Sequence, residues 1–560
     1  MGRVRAIWRL SFRQTVAHSK QVWHLLRDRG PSQIQFWFIA MAIGIVAGLA
    51  ALFFRKGIEA LQAALYGTDD VQYIHTFAES LPWFWVLILP IIGGLVVGLI
   101  LHVFTPDGRV RSVADVIEGA ALRDGRVETR AGIASACASL ITLSSGGSSG
   151  REGPVVHLAG VIATRVSEAL KADGITGRDL LGCAVAAAVS ASFNAPIAGT
   201  IFALEVVLRH FAFHAFAPIS IAAVAGTVIN RLEYGNVTEF TLTLPGVLQF
   251  YIELPAFLLL GILSGLVAVA LMKSIFLAED TADVIQRRIK LPRWLRPAIA
   301  GGLLGIIAIY FPHIIGVGYE TTSLALTGKL LLHEAIVFCV IKVIAVTITI
   351  AGRMGGGVFS PSLMIGALSG LVFGLVATAI FPDISGSHTL YALAGMGAVS
   401  AAVLGAPIST TLIVFELTGD WQTGLAVLTA VSLSTAVASR LVDRSFFLTQ
   451  LERRGIHLAA GPQAYLPDTC SVRSIMRPLR DSPSKDDKVL RTLINEQSFV
   501  DENTTLAQAL PLFDRAGVSY IPVVTDQRAE EIEIIGLVHH VDALKAYNQA
   551  LAATAAEEHS

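Results

Sequence analysis

Charge is scarce in this chain: Asp, Glu, Lys and Arg make up only 15% of its 560 residues, where soluble domains carry about 25%. Cysteine is scarcer still. Cys137, Cys183, Cys339 and Cys470 are scattered with no CxxC pair, so neither a disulfide framework nor a thiolate metal site follows, and no metal is expected. The formal net charge of −1 shows none of the basic excess that marks a nucleic-acid binder. A cleavable signal is also missing. Met1 to Gly30 instead interleaves Arg3, Arg5, Arg9, Arg13, Lys20, Arg27 and Arg29 with Trp8, Leu10, Phe12, Trp23 and Leu26. That pattern suits an amphipathic helix lying in a membrane interface, and the positive-inside rule then places the N-terminus in the cytoplasm.

Apolar sequence is what the chain has in quantity. With 53% hydrophobic residues it reads as a polytopic membrane protein. Apolar segments begin at Phe36–Phe54 and Trp83–Phe104, include one predicted span over Leu180–Leu208, and end at Gly424–Leu441. Several, such as Arg130–Leu143 and Pro407–Leu417, fall short of the ~20 residues a spanning helix needs. Broken spans are tolerated only where backbone is buried in protein or lines a cavity, which favours a transporter or channel.

Two charges interrupt the apolar run at Gly150-Arg151-Glu152-Gly153-Pro154. A carboxylate inside a membrane segment is costly and is by default a functional candidate. The glycines permit a bend, and Pro154 suits the first turn of a new helix. Glu152 is therefore expected at a helix N-terminus, where free N–H groups and the dipole attract anions. A second break, Gly352-Arg-Met-Gly-Gly-Gly-Val-Phe-Ser-Pro361, frees the N–H groups of Val358 and Phe359 in the same way and makes an uncharged anion cradle. Weak dipole binding suits conduction, because ions must leave as well as enter.

The chain also repeats itself. Ala195-Pro-Ile-Ala-Gly-Thr200 leads to Glu205, and Ala406-Pro-Ile-Ser-Thr-Thr411 leads at the same spacing to Glu416. Gly150-Arg-Glu-Gly-Pro154 corresponds to Gly357-Val-Phe-Ser-Pro361. Halves of about 36–235 and 250–450 are expected, with a binding site where they meet. Beyond Glu452-Arg453-Arg454 the composition turns soluble. A small domain is expected over 469–552, with strands at Tyr520–Val524 and Ile534–Val538 and a closing helix from Val541 to Ala552, then a disordered tail over 553–560.

These motifs together resemble the CLC family of chloride channels and chloride/proton exchangers, over roughly Phe36 to His457. The resemblance implies an all-α polytopic membrane domain (36–457) of inverted repeats with broken helices. It implies a homodimer with one anion pore per subunit. Glu152 matches the external gating glutamate, in a loop made by Gly150, Arg151, Gly153 and Pro154. Ser112, Gly357, Val358, Phe359 and Phe447 match the anion-binding positions. Three departures stand out. The first motif reads Arg111-Ser112-Val113-Ala114-Asp115, without its glycines and proline. Phe447 replaces a tyrosine, which removes one O–H donor at a cost of about 1 kcal/mol. Val206 follows Glu205 where exchangers commonly carry a second, proton-transferring glutamate.

The implied function is chloride transport gated by Glu152, leaning to passive channel-type conduction. The alternative is a chloride/proton antiporter with an unconventional inner proton route, for which Glu205 is the proton-pathway candidate. A fluoride-preferring member is a lesser alternative. His157 is expected to hydrogen-bond within the bundle. No acid–base pair or metal cluster suggests an enzyme. The soluble part (Val472–Met476, Tyr520–Val524, Gly536–Asp542) resembles a CBS domain, in which Asp542 matches a nucleotide-ribose position. His539 replaces the usual threonine, so an adenine nucleotide, and with it a nucleotide-sensing role, competes with a dimer-stabilising role. The expected partners are chloride, protons in an exchanger, a second copy and the bilayer of a bacterial inner membrane, with both termini cytoplasmic.

Overall fold

The computed structural model describes residues 32–68, 73–211, 213–235, 240, 250–382, 385, 387–458, 470–478, 487–496, 498–502, 504–525 and 534–559. The expected interfacial segment 1–35 lies outside the described residues up to position 31, and from Gln33 the chain is already in its first helix. The chain divides into two compact units, residues 1–208 with 215–455, and 209–214 with 456–560.

The larger unit is helical. Its first half runs through α1 (Gln33–Tyr66), α2 (Ile74–Ser80), α3 (Trp83–Phe104), α4 (Val113–Leu122), α5 (Thr129–Ser144), α6 (Glu152–Leu170), α7 (Gly174–Phe193), α8 (Pro196–Phe202) and α9 (Phe213–Tyr234). Its second half runs through α10 (Phe250–Arg288), α11 (Arg296–Tyr310), α12 (Tyr319–Leu326), α13 (Leu332–Ala351), α14 (Phe359–Ile380), α15 (His388–Leu404), α16 (Pro407–Thr418), α17 (Trp421–Leu441) and α18 (Phe446–Glu452). Seven helices among the described residues are long and apolar enough to cross a bilayer. Others, such as α8, α15 and α16, are too short.

The breaks have local causes that recur in the two halves. The sequence reading took Leu180–Leu208 as one span, and the structure divides it. Asn194 adopts the left-handed region (φ 56°) and ends α7, and Pro196 opens α8 at a position where its missing N–H costs nothing. Gly405 (φ 70°) and Pro407 do the same between α15 and α16. After α8 the chain continues in a π-helical turn, Ala203–Leu208. Small residues allow the second-half helices to pack closely, with Gly366 and Gly370 of α14 against the backbone of Gly395 on α15.

The smaller unit carries a four-stranded sheet in the order β1-β4-β3-β2, made of β1 (Arg477–Pro478), β2 (Val500–Asp501), β3 (Tyr520–Val524) and β4 (Ile534–His539). The β2–β3 pair is parallel and the others antiparallel. Helices α19 (Asp487–Asn495), α20 (Leu506–Ala516) and α21 (His540–His559) accompany it, with Val472, Leu506, Phe513, Ile521 and Val538 in its core. The last helix runs on to His559, so the disordered tail expected after Ala552 is instead helix through that residue. Alanine-rich sequence there has high helix propensity.

Candidate functional site

The two glycine breaks meet at one point. Gly150 and Gly357 form an isolated antiparallel bridge, each N–H donating to the other's carbonyl at 2.7 and 2.8 Å. The N-termini of α6 and α14, one from each half, therefore converge. Gly356 reaches this position with φ 126°, and a Cβ there would lie 2.0 Å from Ser149 Oγ, so only glycine fits.

Glu152 is the first residue of α6 and is buried. Its carboxylate crosses to the other half. Oε1 accepts from the Ser360 hydroxyl, and Oε2 accepts from the Ser360 N–H at 3.4 Å. The side chain therefore lies at the N-terminus of α14. Arg151 turns the other way: its guanidinium donates to the Ser192 carbonyl at 3.1 Å and lies over the Tyr319 ring. Sequence reasoning did not single out Ser360, which lies beside the predicted Val358–Phe359 cradle and is read as Glu152's partner only once the two breaks are seen to touch.

Glu152 lines a cavity of about 40 Å³, enough for an ion and at most a water or two. Ser112, Gly357, Val358, Phe359 and Phe447 all line it, so the structure brings together every position the sequence proposed for the anion. Their chemistry is not equal. The Gly357 N–H is used by the Gly150 carbonyl, so Gly357 lines the cavity without a free N–H to offer; glycine there allows the close approach of Gly153. Val358 and Phe359 N–H groups have no protein acceptor among the described residues. The Ser112 hydroxyl is buried with no hydrogen-bond partner among the described residues, and Asp115 accepts from the Ser112 N–H at 2.7 Å. Phe359 is held between Phe193 and Phe202, with ring centroids 4.8 and 5.9 Å away. Phe446 and Phe447, edge to face at 5.9 Å, form the opposite wall.

Below Ser112 a second cavity of about 240 Å³ shares Ser112, Ile350, Gly356 and Gln450 with the first. Arg109, Arg296, Arg353, Arg453 and Arg454 line it against Glu279, Asp280 and Asp283. Such a positive vestibule concentrates anions ahead of an uncharged binding site. The sequence reading missed it, although the runs Arg109–Arg111 and Arg453–Arg454 were a visible signal.

Glu205, the proton-pathway candidate, reaches the N-terminus of α16. Its carboxylate accepts from the N–H groups of Ile408 and Ser409 at 2.9 and 2.8 Å, and from the Ser409 hydroxyl. Glu416, its counterpart, accepts from Ile197 and Ala198 at 3.0 and 2.8 Å. Each half thus caps the opening helix of the other. Val206 is buried and apolar.

The Voltage gated chloride channel family model matches residues 93–439, which is more than half of the chain. The chain belongs to the CLC chloride transport family. A CBS domain model matches residues 490–549. The CLC chain is 31% identical over 396 residues to a putative ClcB-like chloride channel protein of Ralstonia nicotianae, covering 70% of this chain and 91% of that one. It is 28% identical to the voltage-gated ClC-type chloride channel ClcB of Escherichia coli, covering 73% and 97%. Among solved structures it resembles a slow cyanobacterial Cl−/H+ antiporter (TM-score 0.66, 21% identity, 75% of this chain and 97% of that one). It also resembles a eukaryotic CLC transporter (TM-score 0.63, 19% identity, 93% and 98%). The family consists of transporters and channels rather than enzymes.

Placing the pore within this CLC architecture makes the role of Gly150 testable. A methyl group added there would come within 2.6 Å of Glu152 Oε2 and 3.1 Å of the Ser360 N–H. Gly150→Ala is expected to expel the carboxylate from its slot and to flatten the pH dependence of chloride flux in liposomes. An unaltered pH profile would show that the carboxylate does not need that slot.

Proposed function

We propose that this protein moves chloride through a pore in each subunit of a homodimer, with Glu152 as the gate, and that conduction is of the passive channel type. The observation that carries this reading is the contact of the Glu152 carboxylate with Ser360 at the head of the 40 Å³ cavity. There the side chain competes with the permeant anion for the same helix N-terminus. Protonation, or a swing outward, removes that competition. The passive lean rests on the inner side: Val206 cannot carry a proton, and the Glu205 carboxylate is engaged by three donors. The side carrying Arg109, Arg353, Arg453 and Arg454 is the cytoplasmic one under the positive-inside rule, in keeping with a bacterial inner membrane.

The test is reconstitution into liposomes under a chloride gradient. Chloride efflux without proton movement supports the channel reading, and proton pumping against its own gradient overturns it in favour of exchange. Chloride and fluoride efflux run side by side decide anion preference. The anion site has its own check. Phe447→Tyr restores a neutral donor worth about 1 kcal/mol, so chloride affinity measured by calorimetry is expected to rise roughly fivefold. An unchanged affinity would place the bound ion elsewhere.

In the soluble unit, Asp542 is paired bidentately with Arg477 at 2.8 and 2.9 Å, and this hydrogen-bonded pairing holds its carboxyl below the usual range. A ribose would have to displace that pair, which supports a stabilising role over nucleotide sensing.

A further inference from the structure

Gating by protonation needs a route for the proton, and Val206, at the position where exchangers of the family commonly carry a proton-transferring glutamate, cannot supply one. Glu205 is a helix cap and Val206 is aliphatic. His157 offers another path. It lies on α6 five residues beyond Glu152, roughly 7–8 Å along the axis. It is 1% exposed, and neither ring nitrogen has a hydrogen-bond partner among the described residues. The expectation that it hydrogen-bonds within the bundle is therefore not met.

A buried imidazole must have one nitrogen as donor and the other as acceptor or donor, and leaving either unmade costs about 1–3 kcal/mol. Its place is nonetheless built for it. A Cβ at Gly132 on α5 would lie 2.5 Å from Cε1 and 2.7 Å from Nδ1, so glycine leaves the space the ring fills. The charges that act on the ring are Asp115 on α4, Arg111 just before α4, and Glu128 at the start of α5. They form one network. Arg111 bridges Asp107 at 2.8 Å and Glu128 at 2.9 Å, and Arg454 holds Asp115 at 2.7 Å. Glu128 is 42% exposed, so the network runs from open water to the neighbourhood of the buried ring.

We propose that His157 is the proton relay that charges and discharges Glu152 from the cytoplasmic side, through water held at its two unpartnered nitrogens. This rests on Glu152 being the gate. In the step, one imidazolium N–H gives its proton to a water, and that water gives one of its own to a Glu152 carboxylate oxygen. The other ring nitrogen then takes a proton arriving by water from the Asp115–Glu128 side. Only O–H and N–H bonds break and form, and charge is conserved. His157 does not line the anion cavity, and the relay needs no glutamate at position 206. It serves a channel whose gate takes its proton from inside as well as an exchanger.

Chloride efflux from liposomes, with the pH on the Arg109 side varied and the other side fixed, tests the relay in His157→Gln, which keeps a polar side chain but carries no proton. The wild type is expected to open as that pH falls. His157→Gln is expected to lose at least about tenfold of this response while keeping its response to pH on the opposite side. The double variant Glu152→Gln/His157→Gln is expected to conduct at the Glu152→Gln rate. A wild-type response in His157→Gln, with the response gone in Glu152→Gln, overturns the relay and leaves the gate standing. A wild-type response in Glu152→Gln removes the gate and the relay together. A double variant without flux makes His157 a packing residue and also overturns the proposal.

Discussion

Glu152→Gln is expected to raise chloride flux at neutral pH by about tenfold or more and to abolish its dependence on pH. The carboxylate lies at the N-terminus of α14, where an anion is stabilised by about 1–2 kcal/mol, equivalent to roughly five- to thirtyfold in occupancy of the slot. The amide keeps the shape and can still accept from Ser360, but it has no charge with which to compete against chloride. The sign follows from the chemistry. In the wild type, acid neutralises the carboxylate and vacates the slot, so flux rises as pH falls; in the variant this has effectively already happened, and flux is high throughout. Glu152→Ala removes the side chain altogether and is expected to agree with Gln in pH profile. Efflux measured from pH 4 to 8 distinguishes the cases. A wild-type slope in both variants would assign the titration to another group.

The start of α6 at Glu152 was legible because glycine and proline punctuate the chain there, and that punctuation acts locally. The same holds for Pro361 and for the repeat that pairs Pro196 with Pro407. What the punctuation cannot reveal is which break touches which. Ser360 is the partner of Glu152 only because two segments from opposite halves converge, and no local pattern encodes that contact. The engagement of the Gly357 N–H in the Gly150 bridge is again a long-range fact. The division of Leu180–Leu208 was missed for a different reason. Long apolar stretches flank the single Asn194-Ala195-Pro196 interruption on both sides and mask it, while the backbone turns at Asn194. His157 was expected to be satisfied because most buried polar groups are, and a base rate cannot identify the exception.

The reciprocal caps of Glu205 and Glu416 carry the second large expectation. Glu416→Ala leaves the N–H groups of Ile197 and Ala198 without an acceptor, and Glu205→Ala does the same to Ile408 and Ser409. Unmade hydrogen bonds at partly buried helix ends cost about 1–3 kcal/mol each, so each alanine variant is expected to lose roughly 2–4 kcal/mol of stability and to melt several degrees lower in detergent. The two caps tie α8 and the π-helical turn that follows it to α16, so the double variant is not expected to be additive. Glutamine retains one acceptor oxygen and should lose about half as much. The effect reaches the pore because α8 carries Phe202 against Phe359, so the anion cavity is expected to loosen as the caps fail. Glu205→Gln discriminates between structure and proton transfer. A lower melting temperature with an intact pH response of chloride flux marks Glu205 as a cap. An unchanged melting temperature with a lost pH response would return it to the proton path and remove the reason for routing protons past His157.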